Sequence, residues 1–253
     1  MPMPQLSIQS IHTKTDYDIE VYIPDTEVPE NGFPVHYILD GLTHFGFARD
    51  IVKGQSFSFE KTGVRPAVVV GIGHKAAEMG LKRMKEFTGP ADHLELPERT
   101  LGKFPDDLEY GHADKFLTFI QEELKPIIEE KYPVHTNEQS IIGHSLGGYF
   151  TLWCLFHHQD YFQKYISISP SVWWNGKELL QMTKEFLEQS PTEQKEVFIS
   201  VGEKEDFMVD DSKELVSLFS NHHYTVDYYI APEENHGSVV PTVMSRVIRF
   251  ISK

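Results

Sequence analysis

Two different hydrophobic patterns divide the chain. Near the start, Leu6-Ser7-Ile8-Gln9 and Tyr17-Asp18-Ile19-Glu20-Val21-Tyr22-Ile23 alternate apolar with polar residues, the period of strands with one wet face. From Val35 onward the apolar positions form continuous runs instead: Val35–Leu39, Ala67–Ile72, Ser140–Ile142, Tyr165–Ile168, Val197–Val201 and Val226–Ile230. Runs of this length without alternation predict strands buried on both faces, as in a parallel sheet. Between them lie stretches of helical spacing, around Phe45–Lys53, Asp114–Lys131, Leu146–His158, Lys177–Gln189, Ser212–Asn221 and Thr242–Ser252. In the second of these, Phe116, Leu117, Ile120, Leu124, Ile127 and Ile128 share a face, and Pro126 predicts a kink.

The expected fold is therefore α/β: a mostly parallel eight-stranded sheet with helices on both faces and an antiparallel N-terminal edge. No linker or repeat divides residues 1–253, which predicts one domain. Residues 74–110 show no steady period and carry Pro90, Pro97 and Pro105, so they are expected to form a cap or substrate-binding insertion.

Composition narrows the picture little further. A net charge of −15 disfavours nucleic acid and anionic membranes as partners. A single cysteine, Cys154, rules out an internal disulfide and suits a reducing compartment. Met1-Pro2-Met3-Pro4-Gln5 shows neither the basic nor the apolar region of a signal peptide, so a cytoplasmic location is expected. No histidine–carboxylate spacing typical of a metal site occurs, and no metal is expected. Nothing in the sequence fixes an oligomeric state.

Chemistry enters with Gly143-His144-Ser145-Leu146-Gly147-Gly148, which joins a predicted strand to a predicted helix. Strand, Gly-x-Ser-x-Gly and helix is the layout of a nucleophile elbow. The turn is expected to require glycine at both Gly143 and Gly147, and it sets Ser145 at the positive end of the following helix. A serine nucleophile needs a histidine base and a carboxylate to orient it, in the order serine, acid, histidine along this fold. His157 and His158 end the elbow helix, and His222 and His223 precede their strand; His236 follows the last strand and is the expected base. The acid falls after Val201-Gly202, where Glu205 is preferred and Asp206 and Glu203 stay open. The N–H of Leu146, with those of Gly41 or Leu42 after the first parallel strand, is expected to hold an oxyanion, and His44 to line the pocket.

These pieces, in order, resemble the putative esterases of the α/β-hydrolase superfamily, the group of siderophore (enterochelin) esterases and esterase D. The similarity runs over nearly the whole chain. It includes Tyr37-Ile38-Leu39-Asp40-Gly41, Val68–Gly73, Arg83 with Glu86-Phe87-Thr88, the elbow, Ser167-Ile168-Ser169-Pro170-Ser171 with Trp173-Trp174, and His236-Gly237-Ser238. The resemblance implies a serine hydrolase that cleaves carboxylic esters of small molecules through an acyl-enzyme without a cofactor. It implies Ser145 as nucleophile, His236 as base, Arg83 near the substrate, and Trp173 and Trp174 lining the pocket. The same constellation serves a thioesterase of S-formylglutathione hydrolase type or an acyltransferase; a non-catalytic binding module fits the ordered residues least.

Overall fold

The computed structural model describes residues 5–100, 102–105, 107–189 and 194–253. Met1–Pro4, on which the signal-peptide reading falls, lie outside the described residues, as do positions 101 and 106 of the expected insertion.

Strands β1 (Gln5–Gln9), β2 (Asp16–Tyr22), β3 (Phe33–Leu39), β4 (Val68–His74), β5 (Val134–His144), β6 (Lys164–Ile168), β7 (Glu196–Gly202) and β8 (Val226–Ala231) form one eight-stranded sheet in the order β1-β2-β4-β3-β5-β6-β7-β8. β1 and β2 pair antiparallel with each other, and β2 pairs antiparallel with β4. Every other pairing is parallel, beginning with Tyr37 of β3 between Val70 of β4 and Ile141 of β5. The alternating sequences thus occupy the edge, and the continuous apolar runs occupy the interior, where every residue of β3 and β4 is buried.

Period two along each buried strand deals its side chains to two separate cores. Tyr37, Leu39 and Ile141 enter a large core rich in rings, with Tyr17, Phe87, Phe116, Phe150 and Trp174. Ile38 and Ile142 enter a smaller aliphatic core. There they meet Phe45 and Val52 of α1 (Gly41–Gln55) and Val243 and Val247 near the C-terminus. Helices cover both faces, the arrangement the hydrophobic pattern predicts.

Several elements differ from expectation. A short α2 (Phe59–Thr62) and α3 (Met79–Glu86) were not predicted. Helix α3 is brief, half charged and exposes Leu81, so its periodicity is faint in the sequence. The long helix runs as α4 (Ala113–Thr118), a π-helical turn over Phe119–Leu124, and α5 (Lys125–Lys131). Its irregularity falls one turn before Pro126, where the Lys125 N–H reaches back five residues to the Ile120 carbonyl. α6 (Leu146–His157) and α7 (Glu178–Glu188) match their predicted spans within a residue. α8 (Phe207–Asn221) and α9 (Val239–Ile251) begin earlier than expected.

His74 closes β4, so the connection to α4 starts at Lys75 and not at His74. Its first part is fastened by a buried carboxylate. Glu86 accepts hydrogen bonds from Thr15 Oγ1 (2.5 Å), Tyr17 Oη (2.6 Å) and His74 Nε2 (2.8 Å). Burial alone raises a carboxyl pKa; here the bonds from His74, Thr15 and Tyr17 outweigh it and hold Glu86 below the usual value. The far part closes on itself: His112 N–H donates to Lys85 O and Ala113 N–H to Thr88 O, and Gly111 N–H donates to Thr88 Oγ1. Among the described residues, no helix is long and apolar enough to cross a membrane.

Candidate active site

Strand β5 ends at His144 and α6 begins at Leu146, which leaves Ser145 alone to make the turn, at φ 60° and ψ −118°. A side chain tolerates positive φ only at a cost, and such strain gathers at functional positions. The reversal presses Gly143 against the first turn of α6, and a Cβ there would sit 2.1 Å from the Gly147 carbonyl oxygen. Gly147 itself has room, because the nearest atom to its Cβ position is Leu39 Cδ1 at 3.5 Å. The expectation that both glycines are required is therefore corrected: Gly143 is sterically obligatory, and Gly147 is not. The second tight position is Gly148, whose Cβ would lie 3.0 Å from Ile168 O and Ser167 Oγ.

Backbone bonds fix the turn. Ser145 N–H donates to Ile168 O (3.0 Å), and Ser145 O accepts from Tyr149 N–H (2.9 Å) and Ser171 N–H (3.1 Å). The Ser145 hydroxyl lies 3.4 Å from that of Ser171.

Beyond β7, the three open carboxylates separate. Glu203 and Asp206 are exposed, whereas Glu205 is buried. Glu205 Oε1 accepts from Gly202 N–H and Ser169 Oγ–H, each at 2.6 Å, and Oε2 accepts from His236 Nδ1–H at 2.5 Å. Asp206 instead stands at the start of α8 with φ 45°, and Glu203 accepts the Glu233 N–H. The His236 side chain is 42% exposed, so its ring reaches solvent while its partner does not. Among the described residues no hydrogen bond joins the Ser145 hydroxyl to His236; the pairing seen is with Ser171.

On the other side of Ser145, Asp40 takes a left-handed conformation (φ 54°, ψ 47°) and α1 starts at once with Gly41. Thr43 and His44 N–H groups both donate to Asp40 O, which leaves Gly41 and Leu42 as the helix's first, unspent donors. Leu146 holds the same position in α6. Strands β3 and β5 are neighbours, and the chain leaves β3 for β4 on one side and later enters β5 on the other. That reversal is a topological switch point, where two helix N-termini converge at the carboxyl end of the sheet. Gly41 is needed there, since its Cβ would lie 2.7 Å from the Gly71 carbonyl carbon.

Arg83 of α3 spans the same two strand ends: Nε donates to Asp40 Oδ1 (2.7 Å) and Nη2 to His144 O (3.4 Å). The arginine assigned to substrate by resemblance is thus bound at least partly to the scaffold.

Three imidazoles form a row beside the elbow. The His44 and His144 rings meet edge to face at 5.5 Å, and His144 lies 4.5 Å from His236 at an interplanar angle of 37°. Burial lowers the pKa of His44; Asp40 opposes that shift and Arg83 adds to it. Burial, with His236, His44 and Arg83, lowers that of His144 well below the ordinary imidazole range. His44 Nδ1 and His144 Nε2 are shielded from solvent without a hydrogen-bond partner. His44, expected to line the pocket, is half-buried and meets His144 edge to face.

The two tryptophans also part ways. Trp174 is fully buried, edge-on to Trp173 at 6.0 Å, and so cannot touch a substrate as predicted; the ring-rich core takes it. Trp173 is only half-buried. Ser169 and Ser171 gained no role from the sequence, because a hydroxyl that orients a carboxylate or a nucleophile leaves no spacing signal. Nor did His144, whose place in the elbow motif accepts any residue.

Known proteins resemble this chain in sequence and fold. The model of the family described as Putative esterase matches residues 10–237. The chain is 38% identical over 245 residues to the ferri-bacillibactin esterase BesA of Bacillus subtilis (strain 168), covering 92% of this chain and 84% of the relative. It is 29% identical over 249 residues to a siderophore enterobactin esterase of Emericella nidulans, covering 85% of this chain and 81% of that one. The crystal structure of the BES protein from Bacillus cereus superposes with a TM-score of 0.88 at 35% identity, over 99% of this chain and 95% of the other.

Proposed function

The chain belongs to the putative-esterase family and is a carboxylic ester hydrolase, and from that premise we propose that it works through an acyl-enzyme on Ser145. Ser145 Oγ attacks the ester carbonyl as His236 Nε2 takes the hydroxyl proton. Glu205 holds the ring by Nδ1–H and stabilises the imidazolium that forms. The N–H groups of Leu146 and of Gly41 or Leu42 receive the oxyanion. The carbonyl re-forms and expels the alcohol, which takes the proton from His236. A water then enters, gives a proton to the same nitrogen and adds to the acyl carbon; the bond to Ser145 Oγ breaks, the acid leaves and Oγ takes the proton back from His236.

One observation carries this reading: Glu205, alone among the candidate acids buried, is hydrogen-bonded to His236. The 3.4 Å contact of Ser145 with Ser171 is the resting arrangement, which a hydroxyl rotation exchanges for His236 when substrate arrives. The substrate class we infer is an ester-linked siderophore, after the relatives named as siderophore esterases. We assign its reception to the described residues between β4 and α4, with Trp173. The single, buried Cys154 supports a cytoplasmic location.

The test compares the protein with Ser145→Ala on p-nitrophenyl esters of increasing acyl length and on a ferric tri-ester siderophore. Turnover that vanishes with the substitution supports the nucleophile; equal activity in both proteins refutes it. Thioesters of the same acyl groups, and added acceptor alcohols, separate hydrolysis of oxygen esters from thioester cleavage and from acyl transfer.

A further inference from the structure

His236 stands on the loop after β8 with its side chain 42% exposed, and its hydrogen bond to protein is the one from Nδ1 to Glu205. One hydrogen bond fixes a point on the ring but leaves the ring plane free to turn about it. A base must present Nε2 in one direction, so a second contact has to set the plane. That contact is the ring of His144, whose centroid lies 4.5 Å away at an interplanar angle of 37°. His144 is itself well anchored. Its backbone belongs to β5, in register with Ile168 of β6, and its carbonyl accepts from Arg83 Nη2. His44 of α1 backs its ring from another side.

From this geometry we infer that His144 is a positioning residue for His236, acting chiefly through the contact of the two rings; the inference rests on His236 being the base. Four observations support it. His144 is the residue next to Ser145, so one stretch of backbone sets both the nucleophile and the plane of its base. Its Nε2 has no hydrogen-bond partner, which leaves packing as the contribution that ring end makes. The groups around it are His236, His44, Arg83 and, paired with Arg83, Asp40; burial above all keeps the His144 ring neutral, against a hydrogen bond between that ring and the His236 backbone, which also ties the two residues together. A neutral ring beside His236 offers a π-face to the imidazolium as it forms.

The experiment replaces His144 with Phe and with Leu, beside His236→Ala, and measures kcat and KM on p-nitrophenyl acetate. In parallel, proton NMR follows the downfield resonance of the Glu205–His236 hydrogen bond. His144→Phe is expected to keep kcat within about threefold, and His144→Leu to lose roughly tenfold or more in kcat with little change in KM, as for a misdirected catalytic group. The downfield proton stays sharp with Phe and broadens with Leu. If the Leu protein fails to fold, His144→Met carries the same expectation. Full kcat without an aromatic ring, or a Phe protein as impaired as the Leu one, overturns the inference. An active His236→Ala protein overturns the base assignment instead, and the two failures are distinct.

Discussion

Replacing Glu205 with Gln changes one atom and reverses the logic of the site. Three donors converge on this carboxylate: Gly202 N–H and Ser169 Oγ–H on Oε1, and His236 Nδ1–H on Oε2. A glutamine has one acceptor oxygen and one donor amide. Gly202 N–H is backbone and cannot turn away, and burying it without an acceptor costs about 1–3 kcal/mol. The amide oxygen is therefore drawn to the Oε1 position, and the NH2 group faces His236. Imidazole answers by moving its proton from Nδ1 to Nε2, the tautomer that cannot accept a proton from Ser145. An asparagine in place of a triad aspartate acts this way elsewhere and lowers kcat by about 10⁴, which is roughly 5 kcal/mol at 1.36 kcal/mol per decade. A fall in kcat of about 10³–10⁴ is expected for Glu205→Gln, with KM within a few-fold. The isosteric exchange keeps the fold, so circular dichroism and the thermal midpoint should match the parent within a few degrees. Glu203→Gln and Asp206→Asn serve as controls and should keep full activity, because both acids are exposed and neither meets His236. Retention of more than a tenth of the parent kcat by Glu205→Gln would falsify the tautomer argument, as would an equal loss in either control.

The glycines of the elbow give a sharper structural test than the serine. Gly143→Ala forces a carbon to 2.1 Å from a backbone oxygen and should leave little folded protein, whereas Gly147→Ala, with 3.5 Å of clearance, should melt within a few degrees of the parent. Equal behaviour of the two refutes the steric assignment. Acid sensitivity should trace in part to His36, a buried ring bonded to Ser140 Oγ whose pKa burial lowers from 6.5 to about 3. The native state refuses the proton that the unfolded chain accepts below 6.5, so this residue removes about 1.4 kcal/mol of stability per pH unit as pH falls from there toward 3. Urea titrations of the parent and His36→Gln between pH 7 and 4 should show a shallower decline in the variant; parallel curves would sink the assignment. Burial also pushes the Cys154 thiol up to about 12. Ellman's reagent should leave the folded protein untouched and titrate one thiol in guanidinium, and fast reaction without denaturant would contradict the burial.

How much of this was legible in the sequence varies with how local the cause is. Buried strands and the alternating edge were readable because period two and unbroken apolar runs are set by which faces a strand covers. Helix starts were read late, at Phe45 instead of Gly41 and at Ser212 instead of Phe207. Each of these helices is entered from a residue at positive φ, Asp40 or Asp206, with no side-chain cap, so the usual start signal is missing. Ser145 and His236 stood out by motif and chain order. Glu205 could be ranked against its neighbours, but burial and two donors from distant residues separate it, and neither is written in a local window. Trp174 shows the converse: a tryptophan beside a site reads the same in sequence whether it faces the ligand or the core.

The hydrogen bonds that close the connection between β4 and α4 have a consequence for how such a protein changes over time. Because Lys85 and Thr88 are bonded to His112 and Ala113, the chain from 89 to 111 leaves and returns at one doorway. Below that doorway the Glu86 knot and Arg83 are held by bonds to residues outside the excursion. Lengthening such an excursion is entropically inexpensive, about 0.6 kcal/mol for each doubling. Selection can therefore vary the length of this stretch at little entropic cost, and, if it receives substrate as proposed above, vary what is admitted. An experimenter grafting a foreign segment should cut at the same two points.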